Sequence, residues 1–426
     1  MSHRLEKMNG PDAQLSKSHL QPRQSLFKRP FKLKRALRSA LVAVIVVALG
    51  GMGLVKAQDL PQSWTSQPKA AASNQGYLPP DMQLEGAEVP ITLDQAIQLA
   101  TSQGTLAETA SINRDMGKAK ADLYHQTAEA LDADNSTASE DARKLADLTA
   151  DFAADQSDRN FTAEINALKR DTVKKYYETV QARDAVKLSL DNLAAQETVA
   201  KNIQQKYDQG LLTKLDLLKA QSGVDQAKAD LMAAQNGHIL SVMALNRALG
   251  YPLLQNTLPT DALTVNEPSF PSLSDTLNAA KNYRNEIHGV NFARQAAKYS
   301  LYDAEEVYGD DSPQAQKAEA ALDAAKKAAA DMPDQIEMDV RSKFLQVKSA
   351  EASTIAAEEA LQKATEAARV AKLSFDNGLL TASDLQMAQL GTYQAALQYS
   401  KTLLAFKLAI KDYELSYTEG TYLVSF

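Results

Sequence analysis

The sequence predicts an all-α protein made of two repeated, long coiled-coil αα-hairpin units. Three observations carry this. The element YDQGLLTKLDLLKAQ (Tyr207 to Gln221) returns as FDNGLLTASDLQMAQ (Phe375 to Gln389), 168 residues further on. Each copy is followed by five heptads in which one seam position is always small. The composition favours Ala, Leu, Gln and Lys, which lose little on entering a helix.

The start of the chain speaks to compartment. Residues 1–38 carry ten Lys and Arg against Glu6 and Asp12. The uncharged run SALVAVIVVALGGMGLV (Ser39 to Val55) follows, then Lys56, Ala57 and Gln58. A basic region, a short apolar core and Val55-x-Ala57 fit an export signal cut after Ala57. The alternative is an uncleaved N-terminal anchor, for which 17 uncharged residues stand at the lower limit of a span. In both readings the body lies outside the cytoplasm, because the basic side stays in. Loss of residues 1–57 leaves 35 basic against 51 acidic side chains, a balance of −16. Such a chain is a poor nucleic-acid ligand, having little to neutralise phosphate. With no Cys among 426 residues, disulfides, thiolate metal sites and a lipidated Cys are excluded.

Residues 58–91, rich in Pro, Gln, Ser and Gly, read as an extended linker. Thr92-Leu-Asp-Gln95 is a capping box that opens the first helical unit, residues 92–250. Residues 251–271 form a Pro-rich crossover without helical pattern, and a comparable helix start at Ser272 opens the second unit, 272–426. The offset between units is 180 at their starts and 168 at their centres, so the first holds about twelve extra residues in its first half.

Within the first unit, Ile165, Leu168, Val173, Tyr176, Val180, Leu190, Leu193, Ile203 and Tyr207 recur at helical spacing. A helix from about Phe161 to Tyr207 would span roughly 70 Å. After the central element, Leu217, Val224, Leu231, His238 and Leu245 take one heptad position and Ala220, Ala227, Ala234, Ser241 and Ala248 the other. In the second unit Leu385, Thr392, Tyr399, Phe406 and Tyr413 take the larger position, and Ala388, Ala395, Thr402, Ala409 and Ser416 the small one. Small residues along a seam let helix backbones approach closely. His238, on the larger seam position without a ligand partner at metal spacing, reads as a packed histidine.

Gly-Leu-Leu-Thr is then the turn of each hairpin. Gly210 and Gly378 follow the incoming helix, where a left-handed cap needs no Cβ. Thr213 and Thr381 are N-cap residues, with Asp216 and Asp384 at the third helical position. Leu211, Leu212, Leu379 and Leu380 sit in the turns themselves. Two leucines either fold back onto their own helices or form an apolar tip that docks a partner, and their presence in both copies favours docking. Hairpins this thin cannot enclose a globular core and must pack against other copies of the chain.

These residues resemble the TolC-like outer membrane efflux proteins. The likeness rests on VPITLDQAIQLA (Val89 to Ala100), the two tips, and NRALGYP (Asn246 to Pro252), and covers most of residues 89–420. The resemblance implies a homotrimer whose hairpins form a twelve-helix tunnel, a TolC-like helical barrel on trimerisation. It also implies tips that meet a periplasmic adaptor (a membrane fusion protein) linked to an inner-membrane transporter. By match, Gly210, Leu211, Leu212 and Thr213 face the adaptor together with Gly378, Leu379, Leu380 and Thr381. Asp384 becomes a candidate aperture carboxylate, while Met387 stands where the family has a further aspartate. The implied place is the cell envelope, with membrane association.

The family inserts a β-hairpin in each repeat to build an outer-membrane barrel. Here the corresponding segments are residues 128–158 and 305–335, acidic and Ala-rich, without strand alternation or aromatic girdles. Ser312-Pro313 is a helix start. Helical extensions with no or minimal β-barrel are expected. The final TYLVSF (Thr421 to Phe426) alternates and reads as a short strand or tail.

Nothing marks an enzyme: no phosphate loop, no HExxH, no nucleophile elbow, and five His (3, 19, 125, 238, 288) that form no cluster in sequence. No catalytic residue, metal or cofactor is assigned. Two readings stand besides the efflux conduit: a non-transporting envelope spacer or interaction protein, and a coiled coil tethered through Ser39 to Val55.

Overall fold

The computed structural model describes residues 82–133, 140–265 and 269–426. The chain divides into two units, residues 1–77 and 78–426, and everything described belongs to the second. The signal or anchor at 1–57 and most of the linker, with Trp64 and Tyr77, lie outside the described residues.

In chain order the elements are β1 (Glu85–Ile91), α1 (Leu93–Ser102), α2 (Thr105–Ala133), α3 (Glu140–Asp208) and α4 (Lys214–Leu249). The crossover contains β2 (Gln255–Pro259), and α5 (Leu273–Tyr283), α6 (Asn285–Tyr308), α7 (Pro313–Asp376) and α8 (Ala382–Ser416) follow. Each repeat is thus a short helix, a medium helix, one very long helix and a return helix. The long helices α3 and α7 have 69 and 64 residues, which at the α-helical rise is about 100 Å each. α3 starts some twenty residues earlier than the periodicity from Phe161 indicates. Nothing between Glu140 and Phe161 breaks it, since that stretch has neither Gly nor Pro.

The long helices serve two hairpins each. α3 packs along α2 on one stretch and along α4 on another, α7 does the same with α6 and α8, and α8 lies against α3. Where barrel strands would be inserted the described chain is helical: α2 runs to Ala133, α3 is under way at Glu140, and only Gly309–Ser312 separate α6 from α7. Ser312 accepts a hydrogen bond from the Ala315 N–H at 3.0 Å, with Pro313 in the first turn. Pro333 lies inside α7 without ending it. Among the described residues no helix is long and apolar enough to cross a membrane.

The one sheet among the described residues is β1 paired with β2 in parallel, Val89 opposite Thr257 and Ile91 opposite Pro259. It joins the entry to the first repeat with the crossover into the second. Tyr176 of α3 pins it. The buried Tyr176 hydroxyl lies 2.9 Å from the Ile91 carbonyl and hydrogen-bonds the Asp261 carboxylate, while accepting from the N–H groups of Thr260 and Asp261. Burial, reinforced by that carboxylate, raises its pKa to about 12. Asp261 in turn accepts from the Leu93 N–H at 2.7 Å, so a residue of the crossover caps α1. Thr92 forms its capping box with Gln95, and Ser272 caps α5 through the Asp275 N–H.

The heptad seams run where their pattern places them, and every seam position is buried or half-buried in both repeats. Small seam residues leave their carbonyls open to the facing helix. Thr179 donates to the Ser241 carbonyl (3.1 Å) and Thr354 to the Thr402 carbonyl (3.1 Å). Both acceptors are small-position residues, one heptad apart in the two repeats. His238 is half-buried in its seam; burial, then the Arg183 charge, hold its pKa below the ordinary value.

Candidate functional site: the paired hairpin tips

The two tips are built alike. α3 ends in a left-handed Gly210 (φ 75°), whose N–H bonds the Tyr207 carbonyl at 2.8 Å while the Leu211 N–H bonds Lys206 at 2.8 Å. α7 ends in Gly378 (φ 75°), bonded to Phe375 at 3.0 Å, with the Leu379 N–H on Ser374 at 2.8 Å. Both are Schellman closures, and both need a residue without Cβ at a positive φ. Three residues later a Thr starts the return helix. Thr213 and Asp216 exchange backbone-to-side-chain bonds of 3.0 and 3.3 Å, and Thr381 and Asp384 bonds of 3.1 and 3.2 Å.

Those bonds fix the charge state of the tip. The Thr213 hydroxyl, then its N–H, hold the Asp216 carboxyl below the ordinary carboxylate range. The Thr381 hydroxyl and N–H do the same for Asp384. Asp384 is exposed, and its Oδ2 carries the cap. Met387, one turn on, is 69% exposed.

The leucines divide their tasks. Leu212 packs onto a cluster that includes Ile203, Leu217 and Phe375. Leu211 and Leu379 point away, 68% and 78% exposed, and Leu380 is 38% exposed. A Schellman turn often covers its outermost apolar residue with one on the preceding turn. At the first tip that turn offers Gln205 and Lys206; at the second it offers Leu373, itself exposed. Leu211 and Leu379 therefore stay in solvent; the first tip presents one exposed leucine, and the second presents Leu379 together with the less exposed Leu380.

The chain brings its own two tips side by side. Val199, Ile203 and Leu217 of the first hairpin share one core with Ala371, Phe375 and Leu385 of the second. Lys206 reaches across, 3.2 Å from the Phe375 carbonyl and 4.0 Å from the centre of its ring. Sequence reasoning missed this bridge. Its only trace is that Phe375 occupies the place of Tyr207 in the repeat, where Lys206 precedes Tyr207 but Ser374 precedes Phe375. Among the described residues no group of three or more His, Asp or Glu could hold a metal.

Fold and tips define a class, the helical-hairpin proteins of TolC type, and the comparisons agree. The family model described as outer membrane efflux protein matches residues 142–251, most of α3, the first tip and all of α4. Among solved structures, the chain is similar to a membrane protein from Pseudomonas aeruginosa, with TM-score 0.62 and 15% identity over 77% of this chain and 90% of that one. It is similar to the outer membrane protein VceC from Vibrio cholerae, with TM-score 0.61 and 14% identity over 78% and 97%. The Campylobacter jejuni CmeC outer membrane channel gives TM-score 0.63 and 12% identity over 78% and 86%. No curated protein sequence matches the chain. The chain therefore has the helical fold of these outer membrane channels, with the match to the efflux family model confined to residues 142–251, and both agree with the resemblance drawn from its sequence.

Proposed function

We propose that three copies of the chain form a TolC-like helical conduit in the cell envelope, docked through the hairpin tips onto a periplasmic adaptor and an inner-membrane transporter. The family match and the channel neighbours support an exported efflux component. The observation that carries docking is the duplicated tip: two turns of one geometry, each rigidly capped at both helix ends, and each holding a leucine outward, Leu211 in one and Leu379 in the other. A rigid apolar knob is a suitable anchor, because little entropy is lost when it enters a groove. The conduit would act passively, its acidic residues lining or flanking the path while the pump supplies energy. Asp384, next to the second tip, is the carboxylate proposed to border the aperture.

The test is the double variant Leu211→Asp with Leu379→Asp. Both side chains are solvent-exposed, so thermal stability should stay within about 0.5 kcal/mol of the parent. Cross-linking to the adaptor, and efflux, should both be lost. Undiminished cross-linking would remove the tips as the docking site. One observation favours a second reading, the envelope spacer: the described chain is helical where barrel strands would be inserted. A trimer without a through-going lumen would favour the spacer.

A further inference from the structure

At the end remote from the tips, residues 420–426 lie extended across the helices of both repeats. Gly420 (φ 75°) turns the chain out of the α8 terminus. From there a row of side-chain amides receives its backbone. Asn166 donates to the Gly420 carbonyl (3.1 Å) and Asn285 to the Tyr422 carbonyl (2.9 Å). Asn160 takes Val424 in both directions, donating to its carbonyl at 2.8 Å and accepting its N–H at 3.0 Å. An amide that pairs with one residue's N–H and C=O does what the edge of a β-sheet does for an added strand. The row is preset: the fully buried Gln156 donates to Asn160 (2.9 Å) and Asn285 (2.8 Å), and Asn285 donates to Asn160 (3.1 Å).

Of the side chains of the segment, Val424 and Phe426 are half-buried, while Thr421, Tyr422, Leu423 and Ser425 stay exposed. A Cβ on Gly289 of α6 would stand 2.9 Å from Val424 Cγ1; one on Gly117 of α2 would meet Ser157 Oγ of α3 first, at 2.5 Å, and the Phe426 ring at 3.3 Å. A glycine within a helix is less favourable there than alanine. Gly289 stands where Val424 comes down, and Gly117 where α2 closes on Ser157 beside the Phe426 ring. The Phe426 ring meets Phe152 edge-on, with centroids 6.3 Å apart, and Lys120 Nζ lies 5.1 Å from its centre. Lys120 also donates to the Phe426 carbonyl. The groove has Gly289 beneath Val424, an amide row for the backbone, and walls from α2, α3 and α6.

We propose that this groove is a peptide-binding site for an extended segment with apolar side chains at alternate positions, filled in cis by residues 420–426. The filled groove straps the first repeat (Gly117, Phe152, Asn160, Asn166) to the second (Asn285, Gly289). The strap crosses α3 at Asn160 and Asn166, roughly 65–75 Å along that helix from the tip. It provides a tie between the repeats at that end.

Two experiments on the full chain decide this. The sequence has no cysteine, and a Cβ on residue 289 would lie 3.7 Å from Val424 Cβ, inside the window for a disulfide. Gly289→Cys with Val424→Cys should oxidise to one intramolecular bond. Two thiols that remain free under oxidant would overturn the placement, whatever other variants do. The second experiment uses a fluorescent GTYLVSF peptide added in trans. Wild type should bind it at least tenfold more weakly than Val424→Asp, because its own segment competes at an effective concentration of the order of millimolar. Adding Asn160→Leu to Val424→Asp should abolish binding. A Val424→Asp protein of unchanged helicity that takes no peptide overturns the site, as does a wild type that binds equally well.

Discussion

Thr213 and Thr381 show how much of the tip rests on single hydroxyls. Each closes a capping box, and each sets the charge of the aspartate beside it. Thr213→Ala should cost about 1 kcal/mol, read as a lower midpoint in urea with unchanged slope. Both carboxyl pKa values lie below their unfolded ones, so the stability from these caps is present above the ordinary carboxylate pKa. It is lost only as pH falls through the lower, folded value. The two histidines with depressed pKa, His238 and His288, act at milder pH. Burial disfavours their charged form, so the unfolded chain binds protons more readily. Stability is full above the unfolded value, near 6.5, and falls as pH drops below it. The wild type should lose more melting temperature between pH 7.5 and 5.5 than a variant with both histidines changed to Gln. An equal loss in the two proteins would assign the pH dependence elsewhere.

At the scale of elements, the long helices and their seams were plain in the sequence because they repeat. Ala220 and Ala227 fall on one heptad position and are buried where α3 meets α4. Ala227→Leu should overpack that seam and cost about 1–3 kcal/mol, whereas the same change at exposed Ala229 should be nearly neutral; denaturant titration of the two compares them directly. Capping boxes at Thr92, Thr213 and Thr381 were equally legible, since a cap is a local code of four residues. What is assembled over distance was not. β1 pairs with β2 across some 170 residues, and only Ile91 of EGAEVPI is buried, so alternation never marked it as a strand. The division between outward Leu211 and inward Leu212 cannot be read from Leu-Leu, since it depends on Phe375 and its neighbours in the other hairpin. The amides that hold residues 420–426 lie on two helices, at 160, 166 and 285, and form no motif along the chain.

For the whole molecule, the exposed surface is the argument. Leu215, Leu218 and Leu240 on α4, and Met338 and Leu345 on α7, are more than half exposed, beyond the residues their own hairpins bury. Thin hairpins with apolar faces left open call for partners of matching length, which further copies of the chain would supply in the proposed trimer. Three chains would place two equivalent hairpins each around a closed ring, which gives the duplication a reason. Light scattering of the exported chain on a sizing column is the most direct test. The account predicts a particle of three times the chain mass with an elongated profile; a stable monomer or dimer would contradict the closed tube.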